Sequence, residues 1–148
     1  MRDVSDRRRV GRAALAAAAL SGVPSTAWAL ARGRDPLEAA LAAGAMVAGE
    51  DASRGRRLAA AVPVHLAISL GWTVVIDRVL PAQGRVLGGA AAGLAIAALD
   101  LGVIGRRIPA IKALPVGPQI ADHVAFGVLA AVTSAPCAAR RRGGSPRR

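Results

Sequence analysis

The sequence predicts an all-α, polytopic membrane protein, a helical bundle of four transmembrane helices joined by short amphipathic connecting segments. Apolar residues make up 53% of the 148 residues, and aromatic residues only 2%. The apolar residues are concentrated in four runs of about 20 residues, the length that a helix needs to cross a bilayer. Ala, Leu, Val and Gly dominate these runs, a composition that suits close helix packing in lipid. We therefore interpret the whole chain, 1–148, as a single integral membrane domain.

The predicted spans differ in the ionisable residues that they carry, and they cover 13–31, 58–80, 86–105 and 119–139. The first span has no charged residue. His65 is the one titratable group between 58 and 76, Asp100 lies near the end of the third span, and Asp122 and His123 lie near the start of the fourth. An ionisable residue inside a membrane segment is costly, so each of these four is of functional interest.

The first 29 residues also fit an export signal. They have a basic start, an apolar middle and an "AWA" ending at Ala29 that a signal peptidase accepts. Cleavage there would leave three spans. Because the rest of the chain is itself polytopic and needs no separate signal, we interpret 13–31 as the first span.

The connections between spans have different characters. "PAQG" at 81–84 predicts a tight turn. Asp35 followed by Pro36 predicts the start of a short helix, ending at about Gly49, because Asp favours the N-cap and proline the first turn. "RRIPAIKALPVGP", with three prolines, predicts an irregular segment at the membrane interface. We expect both longer connections to lie on one face of the membrane.

The distribution of basic residues predicts location and orientation. With the N-terminus inside, twelve of the twenty Arg and Lys residues lie on the cytoplasmic face, so we expect both termini in the cytoplasm. The basic tails, 1–12 and 140–148, are expected to contact anionic lipid headgroups of the bilayer. Clustering at the chain ends and between spans argues against a nucleic-acid partner despite the net charge of +11. A single Lys among the basic residues, with abundant Ala and Gly, indicates a GC-rich bacterial genome and hence a bacterial inner (plasma) membrane.

Four ionisable residues fall in the same leaflet under this topology, and with Ser69 they form the candidate polar cluster: His65, Asp100, Asp122, His123 and Ser69. Ser69 follows His65 by one helical turn and shares its face. Asp77 is expected to lie alone at the opposite end. Asp122 and His123 point about 100° apart around their helix, so they are not expected to face one partner together.

Three hypotheses for the cluster remain open. It could form a path for protons or a small solute, a two-His, two-carboxylate metal site in a metal-binding or redox protein, or interhelical hydrogen bonds, such as His65 to Asp100 or Asp122, in a structural or assembly partner of a membrane complex. We predict a non-enzymatic protein, because no serine occupies a nucleophile elbow or suggests a triad. No cofactor is identified.

The glycines of the third span predict helix packing. Gly84 and Gly88, and Gly89 and Gly93, are spaced so that a neighbouring helix can approach closely. We expect packing within one chain rather than a homo-oligomer face. The single cysteine, Cys137, excludes an internal disulfide framework.

Several stretches resemble a group of small bacterial integral membrane proteins that carry no assigned function. They are "SGVPSTAWAL", "GRDPLEAALAAGAM", "VHLAISLGW" and "LDLGVIGRRIPAIKALPVGPQIADHVAFG", and together they cover most of residues 20 to 130. The resemblance implies a four-helix inner-membrane protein. It brings no catalytic or binding residues to this chain.

Overall fold

The computed structural model describes residues 4–136, and all regular structure in that range is helical, which confirms the predicted all-α class. The α-helices, in chain order, are α1 (Val4–Leu20), α2 (Val23–Ala31), α3 (Glu38–Ala48), α4 (Arg54–Val79), α5 (Arg85–Leu99), α6 (Pro109–Lys112) and α7 (Val116–Thr133). A π-helical turn over Asp100–Ile104 and a 3₁₀ turn over Gly105–Arg107 continue α5.

Four helical stretches are long and apolar enough to cross a membrane, and the chain is a multi-pass membrane protein. They are Val4–Ala31, Arg54–Val79, Arg85–Arg107 and Val116–Thr133. Large apolar side chains cover the outside of the bundle; Leu87, for example, is 79% exposed. Such a surface suits lipid rather than water.

All four spans begin earlier than predicted, at Val4, Arg54, Arg85 and Val116, and the first differs most. The first begins at Val4, because arginine is a good helix former and the basic segment continues the helix instead of forming a separate tail. The last begins at Val116, because Pro118 lies in the first turn, where a backbone N–H has no partner within the helix and proline is tolerated. The predicted end of this span at 139, Cys137 and the tail 140–148 lie outside the described residues.

The first span is broken in its middle, which was not predicted. α1 ends at Leu20 and α2 begins at Val23, with Gly22 at the N-cap and Pro24 in the first turn. Pro24 has no N–H to donate back to α1, so the two helices cannot share a continuous ladder. A break at this depth leaves backbone groups that require other partners.

Helices α5 and α7 pack closely at the centre of the bundle. A Cβ added at Gly93 would lie 2.3 Å from the carbonyl oxygen of His123, and one added at Gly89 would lie 2.5 Å from that of Gly127. These glycines therefore pack within the chain, as the sequence predicts. Gly88 instead faces Leu80, and Gly84 has a φ of +68° at the N-cap of α5, so its role is in the turn rather than in helix packing.

The two longer connections meet on one face of the bundle, as expected. The backbone N–H of Ala110, in α6, donates to Glu50, which follows α3 (2.9 Å). Helix α3 also packs tightly on α4, since a Cβ at Gly44 would lie 1.8 Å from the carbonyl oxygen of Arg57. The segment predicted to be irregular, 106–118, is more regular than expected, because the end of the 3₁₀ turn, α6 and the start of α7 occupy much of it.

Asp35 does not cap α3, whose first residue is Glu38. Its carboxylate instead pairs with Arg54 at the start of α4 and accepts from the backbone N–H of Leu37 (3.0 Å). The Arg54 guanidinium, and then the Leu37 N–H, lower the pKa of Asp35 from 3.8 to about 2.

Titration of Asp35 is expected to occur near pH 2. Because this pKa is lower in the folded chain than in the unfolded one, the contribution of Asp35 to stability is present above pH 3.8 and is lost as the pH falls through about 2. Carboxyl NMR shifts of Asp35 in detergent micelles measure this directly. A midpoint near 4, unchanged by Arg54→Gln, would contradict the Asp35–Arg54 contact.

Candidate functional site

The structure brings Asp100 and His123 into contact near one membrane face. Nε2 of His123 lies 3.2 Å from Oδ2 of Asp100, and the two side chains are 20% and 28% exposed. His123 lies in the second turn of α7, and Asp100 is the first residue of the π turn. π-Helical turns inside helices are frequent at functional sites.

The hydrogen bond of the second ring nitrogen of His123 determines where the protons of this pair lie. Nδ1 lies 2.7 Å from the carbonyl oxygen of Gln119, and since a carbonyl only accepts, Nδ1 carries a proton. A bare Nε2 and an ionised Asp100 carboxylate are both acceptors, so their hydrogen bond requires one further proton. The pair therefore exists as imidazolium with carboxylate or as imidazole with carboxylic acid, and loss of the shared proton removes the bond between α5 and α7.

His65 and Asp122 bind the backbone at the break in the first span. Nε2 of His65 lies 2.9 Å from the carbonyl oxygen of Ala18, near the end of α1. The Asp122 carboxylate accepts from the backbone N–H of Ser25, in the first turn of α2 (2.8 Å). One side chain thus caps the end of α1 and the other the start of α2, satisfying backbone groups that a broken helix leaves free.

The hydrogen bond expected from His65 to Asp100 or Asp122 therefore does not form. His65 bonds to the backbone of α1, because the break exposes the Ala18 carbonyl beside it. As expected from their angular separation, Asp122 and His123 bond to different helices.

A row of polar residues continues from His65 along α4. Ser69, Thr73 and Asp77 follow at intervals of one turn, roughly 6 Å along the axis. Ser69 and Thr73 are buried, at 3% and 0% exposure, and the Thr73 hydroxyl finds no hydrogen-bond partner among the described residues. Ser69 is among the residues predicted from the sequence, but Thr73 is not, although its four-residue spacing from Ser69 is a signal for it.

Asp77 does not lie alone, and that expectation was wrong. Its Oδ1 is 3.0 Å from Nη1 of Arg9 and 3.9 Å from Nη2 of Arg85, and its side chain is only 5% exposed. Arg85 is also buried, and it donates to the carbonyl oxygen of Ala131 and to Oγ of Ser134 (2.9 Å). Asp77, Arg9 and Arg85 form an ion-pair network that joins α1, α4, α5 and α7 at the end opposite the Asp100–His123 pair.

The five residues of the predicted cluster thus form separate contacts rather than one centre. Asp100 bonds to His123, Asp122 and His65 bond to the backbone, and Ser69 lies buried beyond His65. Within residues 4–136, no three His, Cys, Asp or Glu side chains are grouped to hold a metal ion. The four-ligand metal hypothesis receives no support from this arrangement.

Comparison of the chain with protein-family models, with curated proteins and with solved structures finds no match.

Proposed function

We propose that the chain is a multi-pass protein of a bacterial plasma membrane, of the kind of the small proteins that it resembles, and that it handles protons through the Asp100–His123 pair. The observation that carries this proposal is the contact of His123 with two acceptors. Nδ1 is occupied by the Gln119 carbonyl, so the 3.2 Å contact of Nε2 with Asp100 holds one exchangeable proton. Histidine beside a carboxylate is a common pairing for proton transfer in membrane proteins.

The position of the pair supports exchange with water. Both side chains are partly exposed, and they lie beside the connecting segment rather than at mid-bundle. Protonation forms the bond between α5 and α7, and deprotonation breaks it, so uptake of a proton is linked to a change in helix contact. Transport of a small solute that depends on this change in helix contact would be coupled to proton uptake.

The polar row on α4 provides a route through the bundle. It passes from His65 by way of the buried Ser69 and Thr73 to Asp77. Asp77 lies in the ion-pair network at the other end. Steps of roughly 6 Å along a helix are short enough for a single water molecule to bridge neighbouring side chains.

Proton flux into liposomes tests this proposal. The full chain is reconstituted with a pH-sensitive dye in the lumen, and a potassium gradient with valinomycin imposes the potential. Flux above that of protein-free liposomes is expected, with a reduction of about tenfold in Asp100→Asn, the scale on which positioned acid–base groups act. Thr73→Val, which preserves shape, is expected to slow flux without loss of stability, because it removes a hydroxyl that lacks a protein partner.

Asp35→Asn is the matched control, since its carboxylate lies in a connection and contacts Arg54 and Leu37 rather than the pair. Its flux is expected to equal that of the unmodified chain. Flux no greater than that of protein-free liposomes, or an equal loss in Asp35→Asn and Asp100→Asn, would contradict proton handling at this pair.

A structural or assembly function is the second candidate, and a different observation favours it. His65 and Asp122 bind backbone groups at the break in the first span, as residues that only hold a bundle together would. This candidate predicts that a membrane protein partner, or a second copy of the chain, co-purifies in fixed stoichiometry. It also predicts that Asp100→Asn weakens this association while flux remains at the level of protein-free liposomes.

The proposed orientation places both termini in the cytoplasm, with α3 and α6 outside. To test this orientation, Ala82→Cys and Ala113→Cys are made separately in a Cys137→Ala background. Labelling of each variant by a membrane-impermeant maleimide is then measured in intact cells. Both alanines are exposed and lie in connections at opposite ends of the third span. Labelling at 113 alone is expected, and labelling at 82 alone would invert the orientation.

A further inference from the structure

A groove of about 460 Å³ opens between the end of α5, the π turn, α6 and the start of α7. Its walls are mainly apolar, and the larger side chains among them are Leu94, Leu101, Ile111, Leu114 and Ile120. The groove runs from the connecting segment into the third and fourth spans. From Leu94 to Arg106 it follows about 18 Å of helix, more than half of a hydrocarbon core that is about 30 Å thick.

Three polar side chains line the otherwise apolar groove. Arg106 and Lys112 are exposed and lie at the interfacial end, and within residues 4–136 neither makes an ion pair. Gln119 is only 8% exposed, and its side-chain amide makes no hydrogen bond to any described residue, although its backbone carbonyl accepts from His123. Because Gln119 is mostly buried and lines the groove, its free amide is available to a molecule that occupies the groove.

We propose that this groove binds one anionic phospholipid. The phosphate pairs with Arg106 and Lys112, an ester carbonyl accepts from the Gln119 amide, and an acyl chain lies along Leu94, Leu101 and Ile120. Arginine and lysine are the side chains that bind phosphate, and basic residues between helices at a membrane face bind lipid headgroups. This proposal stands apart from the proton-handling function, since it needs neither Asp100 nor His123 to titrate.

The shape of the groove distinguishes a phospholipid from other anions. A soluble phosphate would use the two cations but would leave the apolar walls and Gln119 without contacts. An uncharged lipid would cover the walls but would leave both cations unpaired. Only a molecule with a negative headgroup and a long apolar chain matches the two ends of the groove.

Native mass spectrometry of the full chain in detergent tests the proposal. With dioleoyl phosphatidylglycerol added, one lipid is expected to remain bound to each chain, and dioleoyl phosphatidylcholine is expected to be retained less. Arg106→Gln with Lys112→Gln is expected to lower retention of phosphatidylglycerol about tenfold or more, because each cation contributes to headgroup attraction. Gln119→Leu, which keeps the side-chain volume, is expected to lower it several-fold by removing the ester contact.

Arg56→Gln with Arg107→Gln is the matched control, because these exposed arginines lie on the same face but do not line the groove. Retention close to that of the unmodified chain is expected. Equal retention of the two lipids, equal loss in the two double variants, or displacement of bound lipid by excess glycerol 3-phosphate would each overturn the assignment of an anionic phospholipid.

Discussion

Gly127→Ala is expected to lower the unfolding temperature of the bundle, because the added methyl group separates α5 from α7. A Cβ at this position would lie 2.1 Å from the carbonyl oxygen of Gly89 and 2.7 Å from the backbone nitrogen of Gly93. Backbone atoms cannot rotate away as a side chain can, so the helices must move apart. Overpacking of this kind costs about 1–3 kcal/mol, and contact with backbone places Gly127→Ala at or above the top of that range.

Gly71→Ala is the control for this substitution. Gly71 also lies inside a spanning helix, but no atom lies within 4 Å of its added Cβ. Alanine there is expected to be neutral or to stabilise by about 0.5–1 kcal/mol, since glycine is unfavourable within helices. Thermal or denaturant unfolding in one detergent compares the two variants, and equal free energies of unfolding would contradict the α5–α7 packing.

Asp77→Ala is expected to destabilise the chain more than any other removal of a carboxylate. It leaves the buried Arg85 without a counter-ion among residues 4–136, while Arg9 keeps its pairing with Asp6 at 3.5 Å. Removing one member of a buried ion pair costs about 3–5 kcal/mol, because the remaining charge stays desolvated. The measurement is the free energy of unfolding in detergent, together with the amount of folded protein in the membrane.

Asp51→Ala serves as the comparison, since this carboxylate is exposed in a connection. Exposed charges contribute little, so its effect is expected to stay within about 0.5 kcal/mol. If the two variants proved equally stable, the ion-pair network at the end of α4 would not contribute as the geometry implies.

The four spans could be predicted from the sequence because a bilayer imposes a length and a composition on any helix that crosses it. The break in the first span had a local signal, since Gly22 is followed two residues later by Pro24. That signal is weak inside an apolar run, where glycine and proline are tolerated in spanning helices. The close approach of Gly127 also had a signal, its four-residue spacing from Ala131, but the glycines of the third span were more conspicuous.

The candidate residues were identifiable from the sequence, but their partners were not. An ionisable residue in an apolar run is energetically costly to place in a membrane. This cost identifies the four candidates His65, Asp100, Asp122 and His123. Their partners depend on how the helices rotate and where they break. Asp122 reaches Ser25, a residue 97 positions away, only because α2 begins beside α7. The pairing of Arg9 with Asp77 likewise joins two helix ends whose proximity no local pattern encodes.

Proton sharing between His123 and Asp100 is tested by locating the proton on the His123 ring. The chain has two histidines, and the geometry assigns a proton to a different ring nitrogen in each: Nε2 of His65 faces the Ala18 carbonyl, while Nδ1 of His123 faces the Gln119 carbonyl. Nitrogen-15 NMR of the histidine-labelled chain in liposomes distinguishes the two, with His65→Gln providing the assignment. Nδ1 of His123 is expected to stay protonated at every pH, while Nε2 titrates in a manner that Asp100→Asn alters. A bare Nδ1, or an Nε2 titration unchanged by Asp100→Asn, would contradict a proton shared between His123 and Asp100.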